Sequence, residues 1–283
     1  MVVPRIALCF IRATCYAYDA TGNLTSRKDN VQSLTESFGY DELNRLTSVT
    51  GPASKSYAYS ADGNITAKSD MGDQYLYGET TPAGPHAVTS IKKAGALIGS
   101  YSYDANGNLR TGGGRSFAYT SFNLPSAITQ GTATSTFTYD ADHARATQVA
   151  GGETTVYLNP RWDDGIHFEK TTKASGLIEH RHYLYAGNTP IALYTTRSDN
   201  TSSTRYLHKD HLGSVDAITN ETGALVERLS YDAWGKRRQG NWLDATAPIT
   251  GATTHHGYTG HEHLDGLGLI HMNARVYDPA SSK

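Results

Sequence analysis

Apolar and polar residues alternate along most of this chain over short runs, and each run stops at a cluster of Asp, Gly and Asn. Phe38-Gly39-Tyr40, Tyr57-Ala58-Tyr59 and Phe137-Thr138-Tyr139 each set two rings at positions i and i+2, which share one face of a strand. The same aromatic-x-Tyr pair stands at 16/18, 75/77, 101/103, 117/119 and 183/185. From Tyr18 to Tyr139 the second tyrosines follow one another in steps of 22, 19, 18, 26, 16 and 20 residues. Such a period, about twenty with slippage, is the mark of a repeat architecture.

The polar clusters have their own order. Tyr18-Asp19 leads to Gly22-Asn23, Tyr59 to Asp62-Gly63-Asn64, and Tyr103-Asp104 to Gly107-Asn108. Tyr40-Asp41 and Tyr139-Asp140 begin the same way, and Asn44 and Asn123 stand at the matching place in the turns after Tyr40 and Tyr119. Gly and Asn tolerate positive φ, and Asp and Asn side chains bond their own backbone, so these clusters predict hairpin turns. An aliphatic residue and β-favouring threonines resume the chain, as in Leu24-Thr25-Ser26, Leu46-Thr47-Ser48-Val49 and Ile65-Thr66-Ala67. One repeat is therefore expected to be one hairpin. A lone hairpin is marginal in water, so the hairpins must stack and bury one another's faces. Nothing longer than a turn or two carries a 3.6-residue apolar period. The fold class expected is all-β, with repeat hairpins joined in one continuous sheet system.

Composition explains why the rings matter. Leu, Ile, Val and Phe number only 49 of 283 residues, while Tyr supplies 19 and Gly 28. Tyrosine makes up much of the missing apolar area. A formal net charge of -2 gives no long-range field for phosphate backbones or anionic membranes, so nucleic acid is not an expected partner. No run approaches the roughly 18 apolar residues of a membrane span. Residues 1–15 hold both cysteines, Cys9 and Cys15, and read as a stretch unrelated to the repeats; one disulfide and two free thiols are both compatible with them. Pro4, Arg5 and Arg12 interrupt its apolar run, so no convincing signal peptide is seen.

The spacing of YDxxGN[LI] resembles the YD repeat of bacterial Rhs proteins, Tc toxin C subunits and animal teneurins. Two long motifs carry the resemblance further, being similar almost end to end to the Rhs repeat-associated core segment. The first, Tyr206 to Arg238, holds Tyr206, His208, Asp210, His211, Leu212, Gly213, Ser214, Tyr231, Asp232 and Gly235; the second, Tyr258 to Pro279, holds Gly260, His261, Gly268, Leu269, Arg275, Tyr277, Asp278 and Pro279. The layout expected is a non-family stretch over 1–15, YD repeats over 16–150, a strand-rich bridge over 151–205 and the core segment over 206–279. The resemblance implies a spiral sheet forming a shell around a C-terminal toxin, delivered by a secretion route, with the shell a container rather than an enzyme. The implied partners are that cargo and the rest of the shell. Family members continue past Tyr-Asp-Pro into aspartates used for self-cleavage, whereas here Tyr277-Asp278-Pro279 is followed by ASSK. The chain is expected to be an open shell piece that stops before the cleavage and toxin regions, since its aromatic pairs are too few to close a shell.

Candidate chemistry is sparse. His208, His211, His255, His256, His261, His263 and His271 gather late, and His261-x-His263 on a strand would share a face, but His208, His211, His261 and His271 fall inside the core motif and a structural role is preferred to a metal site. Asp210-His211 beside Ser214 invites a triad, yet adjacent residues on a strand face opposite sides, and no Gly-x-Ser-x-Gly elbow exists. No catalytic residue, cofactor or metal is expected. By the same resemblance, Asp210, His211, Leu212 and Gly213 are implied to be a turn that fixes how the core segment plugs or seals the shell. Exposed tyrosines also suit sugar stacking, which makes a glycan-binding module the alternative.

Overall fold

The computed structural model describes residues 14–80, 82–158, 167–247, 249, 251, 253–273 and 275–282; Cys9 and most of the stretch 1–15 lie outside them. Cys15 is disulfide-bonded. Strands make up 54% and helix 2% of the structure, so the all-β expectation holds. Two compact units emerge: the described residues up to Gly113 with Ser230–Ala247, and Gly114–Leu229 with Pro248–Lys283.

In the first unit six antiparallel strands pair in chain order: Thr14–Tyr18, Leu24–Asp29, Leu34–Tyr40, Leu46–Thr50, Lys55–Tyr59 and Ile65–Lys68. A separate three-stranded sheet comprises Gln74–Tyr77, Val88–Lys93 and Ala96–Ser100. The expected continuous sheet is thus broken between Lys68 and Gln74. Lys68 makes an isolated bridge to Gly72, where a Cβ would stand 2.5 Å from Ile91 and 2.7 Å from the Lys92 carbonyl. The chain folds over itself there instead of adding a seventh strand. In the second unit an antiparallel sheet runs in chain order from Arg115–Tyr119 to Leu225–Arg228, beside a three-stranded sheet of Glu262–Leu264, Leu269–His271 and Val276–Tyr277.

The hairpins follow the predicted chemistry, with one mechanism repeated. Asp104 Oδ1 accepts the N–H groups of Asn106 (2.9 Å) and Asn108 (2.8 Å), while the Asp104 backbone bonds Asn108 and Gly107. Asp19, Asp41 and Asp140 use the same two bonds. The fourth residue of each turn takes positive φ, as in Gly22 (91°), Asn44 (59°) and His143 (64°); His143 fills a place where glycine or asparagine was expected. At 60–64 the capping oxygen belongs to Ser60, whose Oγ receives the Asn64 N–H, and Asp62 sits inside the turn bonded to Ser60 and Asn64. Gly63 keeps its positive φ of 88°.

Every second tyrosine stands at a break in strand register, from Ala17/Tyr18 to Leu184/Tyr185. Such a bulge turns the side chain and sharpens local twist. The phenol then reaches the neighbouring strand: Tyr40 donates to the Leu24 carbonyl (2.9 Å), Tyr59 to Leu46 (2.8 Å), Tyr77 to Ile65 (2.7 Å), Tyr103 to Val88 (2.8 Å) and Tyr139 to Pro125 (2.7 Å). Three of these acceptors are the aliphatic residues just past a turn. First rings pack instead; Tyr57, Tyr75, Tyr101, Phe137 and Tyr183 are buried. Phe38, Phe117 and Phe137 fill the first position with a ring alone, whereas Tyr183 there also bonds Thr254 Oγ1 at 2.9 Å.

Hydrogen bonds hold the carboxyls of Asp19, Asp41, Asp62, Asp104 and Asp199 below the ordinary aspartate value of 3.8. A depressed folded pKa means that the unfolded chain binds more protons in acid, so this stability is present above the ordinary value and is lost as pH falls through it. Natural asparagine at 220 makes the same turn, its Oδ1 accepting Thr222 and Ala224 N–H. Asp104→Asn should therefore fold at neutral pH and lose less stability than the parent between about pH 5 and pH 3. Urea midpoints at the two pH values measure this, and an unchanged acid loss would place the sensitivity elsewhere.

Candidate functional site

The first part of the core motif ends the long sheet of the second unit. Tyr206 and His208 lie on Ser202–Lys209, both exposed, with His208 Nε2 3.0 Å from Thr219 Oγ1. Asp210 Oδ1 accepts the N–H groups of Leu212 and Ser214, both at 2.8 Å, and Gly213 supplies a φ of 82°. Ser214 Oγ receives the Thr259 N–H at 3.1 Å, so the serine tethers the second motif to this turn. His211 lies half-buried within it. Asp210 Oδ1 and Ser214 thus serve the turn and its tether to the second motif.

Residues 230–247 line the first unit. Tyr231, Asp232 and Gly235 are buried in a tight hairpin, with Asp232 Oδ1 accepting Trp234 and Lys236 N–H. Its other oxygen lies 3.0 Å from Lys55 Nζ, which also meets Asp70 (3.2 Å) and Asp244 (2.9 Å). Burial opposes the charge on Lys55, yet these carboxylates raise its pKa above the ordinary lysine value. Lys68, fully buried, stands 5.6 Å from the Trp234 ring, and Tyr57 meets that ring edge-on at 5.5 Å. Deeper still, Arg238 Nη2 lies 3.0 Å from Glu36 Oε2, which Arg27 approaches to 2.7 Å. Burial would raise the Glu36 pKa, but Arg238 and Arg27 hold it below its usual value.

Residues 251–282 line the second unit in the same way. Glu262 is buried and ion-paired to Arg145, and Tyr157 donates its phenol to it at 2.8 Å. Arg145 also lies over the Tyr157 ring at 4.2 Å. Leu264, Leu267 and Leu269 pack on Ile128 and Phe137. Gly268 (φ 63°) passes beside Arg115, whose Nε donates to the Leu267 carbonyl at 2.8 Å and whose Nη1 pairs with Asp278 at 3.0 Å. Tyr277 is half-buried, Pro279 buried and Arg275 exposed. Gly260 turns with a φ of 78°. His261 precedes the strand Glu262–Leu264 and does not share a site with His263, whose Nε2 accepts the Tyr258 N–H at 3.1 Å. His271 is buried against Phe137, and burial pushes its pKa down to about 3.

Each unit also buries charges that the motifs did not contain: Glu36, Lys55 and Lys68 in the first, and Arg145, Glu169 and Arg181 in the second. A signal existed. Glu36-x-Phe38-x-Tyr40 and Lys55-x-Tyr57-x-Tyr59 place each charge on the strand face of the rings. A cleft of about 440 Å³ also opens beside Glu262, with Thr134, Thr155, His255 and Asp265 in its walls. No helix among the described residues is long and apolar enough to cross a membrane.

Removing one partner from a buried ion pair leaves the other charge desolvated and alone. Glu36→Gln should cost about 3–5 kcal/mol, read as a lower urea midpoint. Replacing all three members, Glu36→Leu with Arg238→Met and Arg27→Met, should recover most of that loss, because an apolar cluster avoids the desolvation.

The teneurin YD-shell family model matches residues 11–283. The tRNA nuclease WapA of Bacillus subtilis is 26% identical over 232 residues, 68% of this chain and 10% of its own length. The tRNA3(Ser)-specific nuclease WapA of Bacillus spizizenii gives the same identity and coverage. This chain thus spans about a tenth of those relatives. Among solved structures, the Tc holotoxin pore of Photorhabdus luminescens aligns with 94% of this chain and 16% of its own, at 13% identity and a TM-score of 0.50, a likeness of fold. With recurrent tyrosine-aspartate hairpins and a family match across nearly the whole sequence, the chain belongs to the Rhs/YD-shell family.

Proposed function

We propose that the chain is a wall segment of a toxin-enclosing shell and performs no catalysis. The observation carrying this reading is the lining: residues 230–247 and 251–282 bury charged side chains against the repeat strands of their own units through Glu36, Lys55, Arg145 and Arg115. A sheet that binds a strip of its own chain this way holds its form without a ligand. Its partners in this reading are the rest of the shell and a C-terminal toxin cargo, and the assembly is secreted or delivered. Nuclease activity, named for the WapA relatives, is not assigned to this segment. Nucleic acid is not proposed as a partner, since the net charge of -2 gives little attraction to phosphate.

A glycan-binding module is the second reading, and one observation favours it. Phe168, His182 and Tyr194 stand in register on neighbouring strands, with ring centroids 4.7 and 6.3 Å apart, and Tyr194 is 39% exposed. Such a row offers stacking faces to sugar rings.

Expressed in its native genomic context, the chain should shield an accompanying toxin polypeptide from protease until the shell is disrupted. Equal cleavage of shielded and free toxin would overturn the container reading. Isolated chain should stay at 30.6 kDa on prolonged incubation; cleavage abolished by Asp278→Asn would reveal missed chemistry. Binding on a glycan panel that Tyr194→Ala removes would instead favour the second reading.

A further inference from the structure

His167, Glu169 and His256 are brought together in the second unit from places far apart in the chain. His167 and Glu169 share a face of the strand His167–Thr172, while His256 comes from the lining segment. Nε2 of His167 lies 3.0 Å and Nε2 of His256 3.1 Å from the same carboxylate oxygen, Glu169 Oε1. One donor atom from each residue falls within 4.8 Å of the other two. The side chains are nearly buried, at 11%, 5% and 12% exposure. Tyr183 closes one side, its ring edge-on to both imidazoles at 5.0 and 5.1 Å.

Two details separate this cluster from an ordinary ion pair. His256 Nδ1 lies 2.9 Å from the Gly260 carbonyl, which can only accept, so Nδ1 carries a proton and the ring points Nε2 at the cluster. That is how a protein braces a metal-ligating histidine, with a backbone carbonyl on the remote nitrogen. Next to His167 and His256, a cavity of about 10 Å³ opens between Tyr183, Lys209 and Gly260, about the space of one water. Around a tetrahedral zinc, ligand atoms stand roughly 3.4 Å apart; the two imidazole-to-carboxylate distances, 3.0 and 3.1 Å, need to open by only a few tenths of an ångström to reach it.

We propose that His167, Glu169 and His256 form a site for a divalent transition metal of the zinc class, with the adjoining cavity holding water in the fourth position. Two imidazoles and one carboxylate match the preferences of zinc, while calcium and magnesium prefer all-oxygen sites. The charges facing the site are mixed. Arg181 approaches the other Glu169 oxygen at 3.9 Å and Lys209 borders the cavity, both lowering affinity for a cation. Glu262, whose charge reaches His256, acts in the opposite sense. Without metal, protons hold the same place: hydrogen bonds from both imidazoles keep Glu169 well below its usual pKa, despite burial. Metal uptake thus displaces protons. Its structural effect would be to pin the lining segment to a repeat strand.

The test uses the full chain stripped with chelator, then titrated with Zn²⁺ and, separately, with Co²⁺. One equivalent should bind, with proton release, visible d–d bands of a four-coordinate cobalt complex, and a higher melting temperature. His167→Gln and His256→Gln, checked for folding by circular dichroism, should each weaken binding roughly 100-fold or more. If the parent chain takes up no stoichiometric Zn²⁺ or Co²⁺, the cluster is a proton-sharing ion-pair network only. Binding that survives both substitutions places the metal elsewhere, and either result overturns the proposal. Should the variants fail to fold, the cobalt spectrum of the parent decides alone.

Discussion

A tyrosine buried at its ring must still satisfy its hydroxyl, and this chain meets that demand with the carbonyl of a neighbouring strand. The five bonds from Tyr40, Tyr59, Tyr77, Tyr103 and Tyr139 each cross from the end of one strand to the beginning of another. A single residue type thus packs a face, marks a bulge and fixes the distance between neighbours. Burial lifts the Tyr103 and Tyr139 phenols to about 12, so they remain donors at any ordinary pH. The aspartate that follows closes the turn and starts the next strand at the carbonyl that the tyrosine needs. Twist, spacing and register all depend on the pair acting together.

The repeat was legible because its parts are local. Asp104, Gly107 and Asn108 carry their turn chemistry wherever they stand, and Tyr103 announces the strand end. Less local features could not be read. His143 occupies a positive-φ place that favours glycine or asparagine, and nothing in its type signals this. Ser60 replaces the capping aspartate with a hydroxyl, and nothing in its type signals that role. The break near Gly72 depends on Ile91 and Lys92, residues whose approach no neighbouring letter reveals.

Of the candidate site, the motif positions were found and their surroundings were not. Asp232 was singled out by resemblance, but Lys55, its ion-pair partner, looked like any solvated lysine on a strand. Likewise His261 and His263 suggested convergence by spacing, whereas convergence occurs at His167, Glu169 and His256, from strands with no shared motif. A charge is read as exposed by default because burying it alone is so costly. Only the partner, supplied from a distant segment, makes the opposite true.

That partnership imposes an order in time. Glu36 and Arg238 are separated by 202 positions, so a growing chain exposes the carboxylate long before the guanidinium exists. During synthesis the early hairpins must stand with an acid on their ring-bearing face still wet, held by turns and phenols alone. Contacts at such separation form late, since a long loop must close before they reward it. The first unit, though begun earliest, is therefore completed only when residues 230–247 arrive to dry a face made at the start.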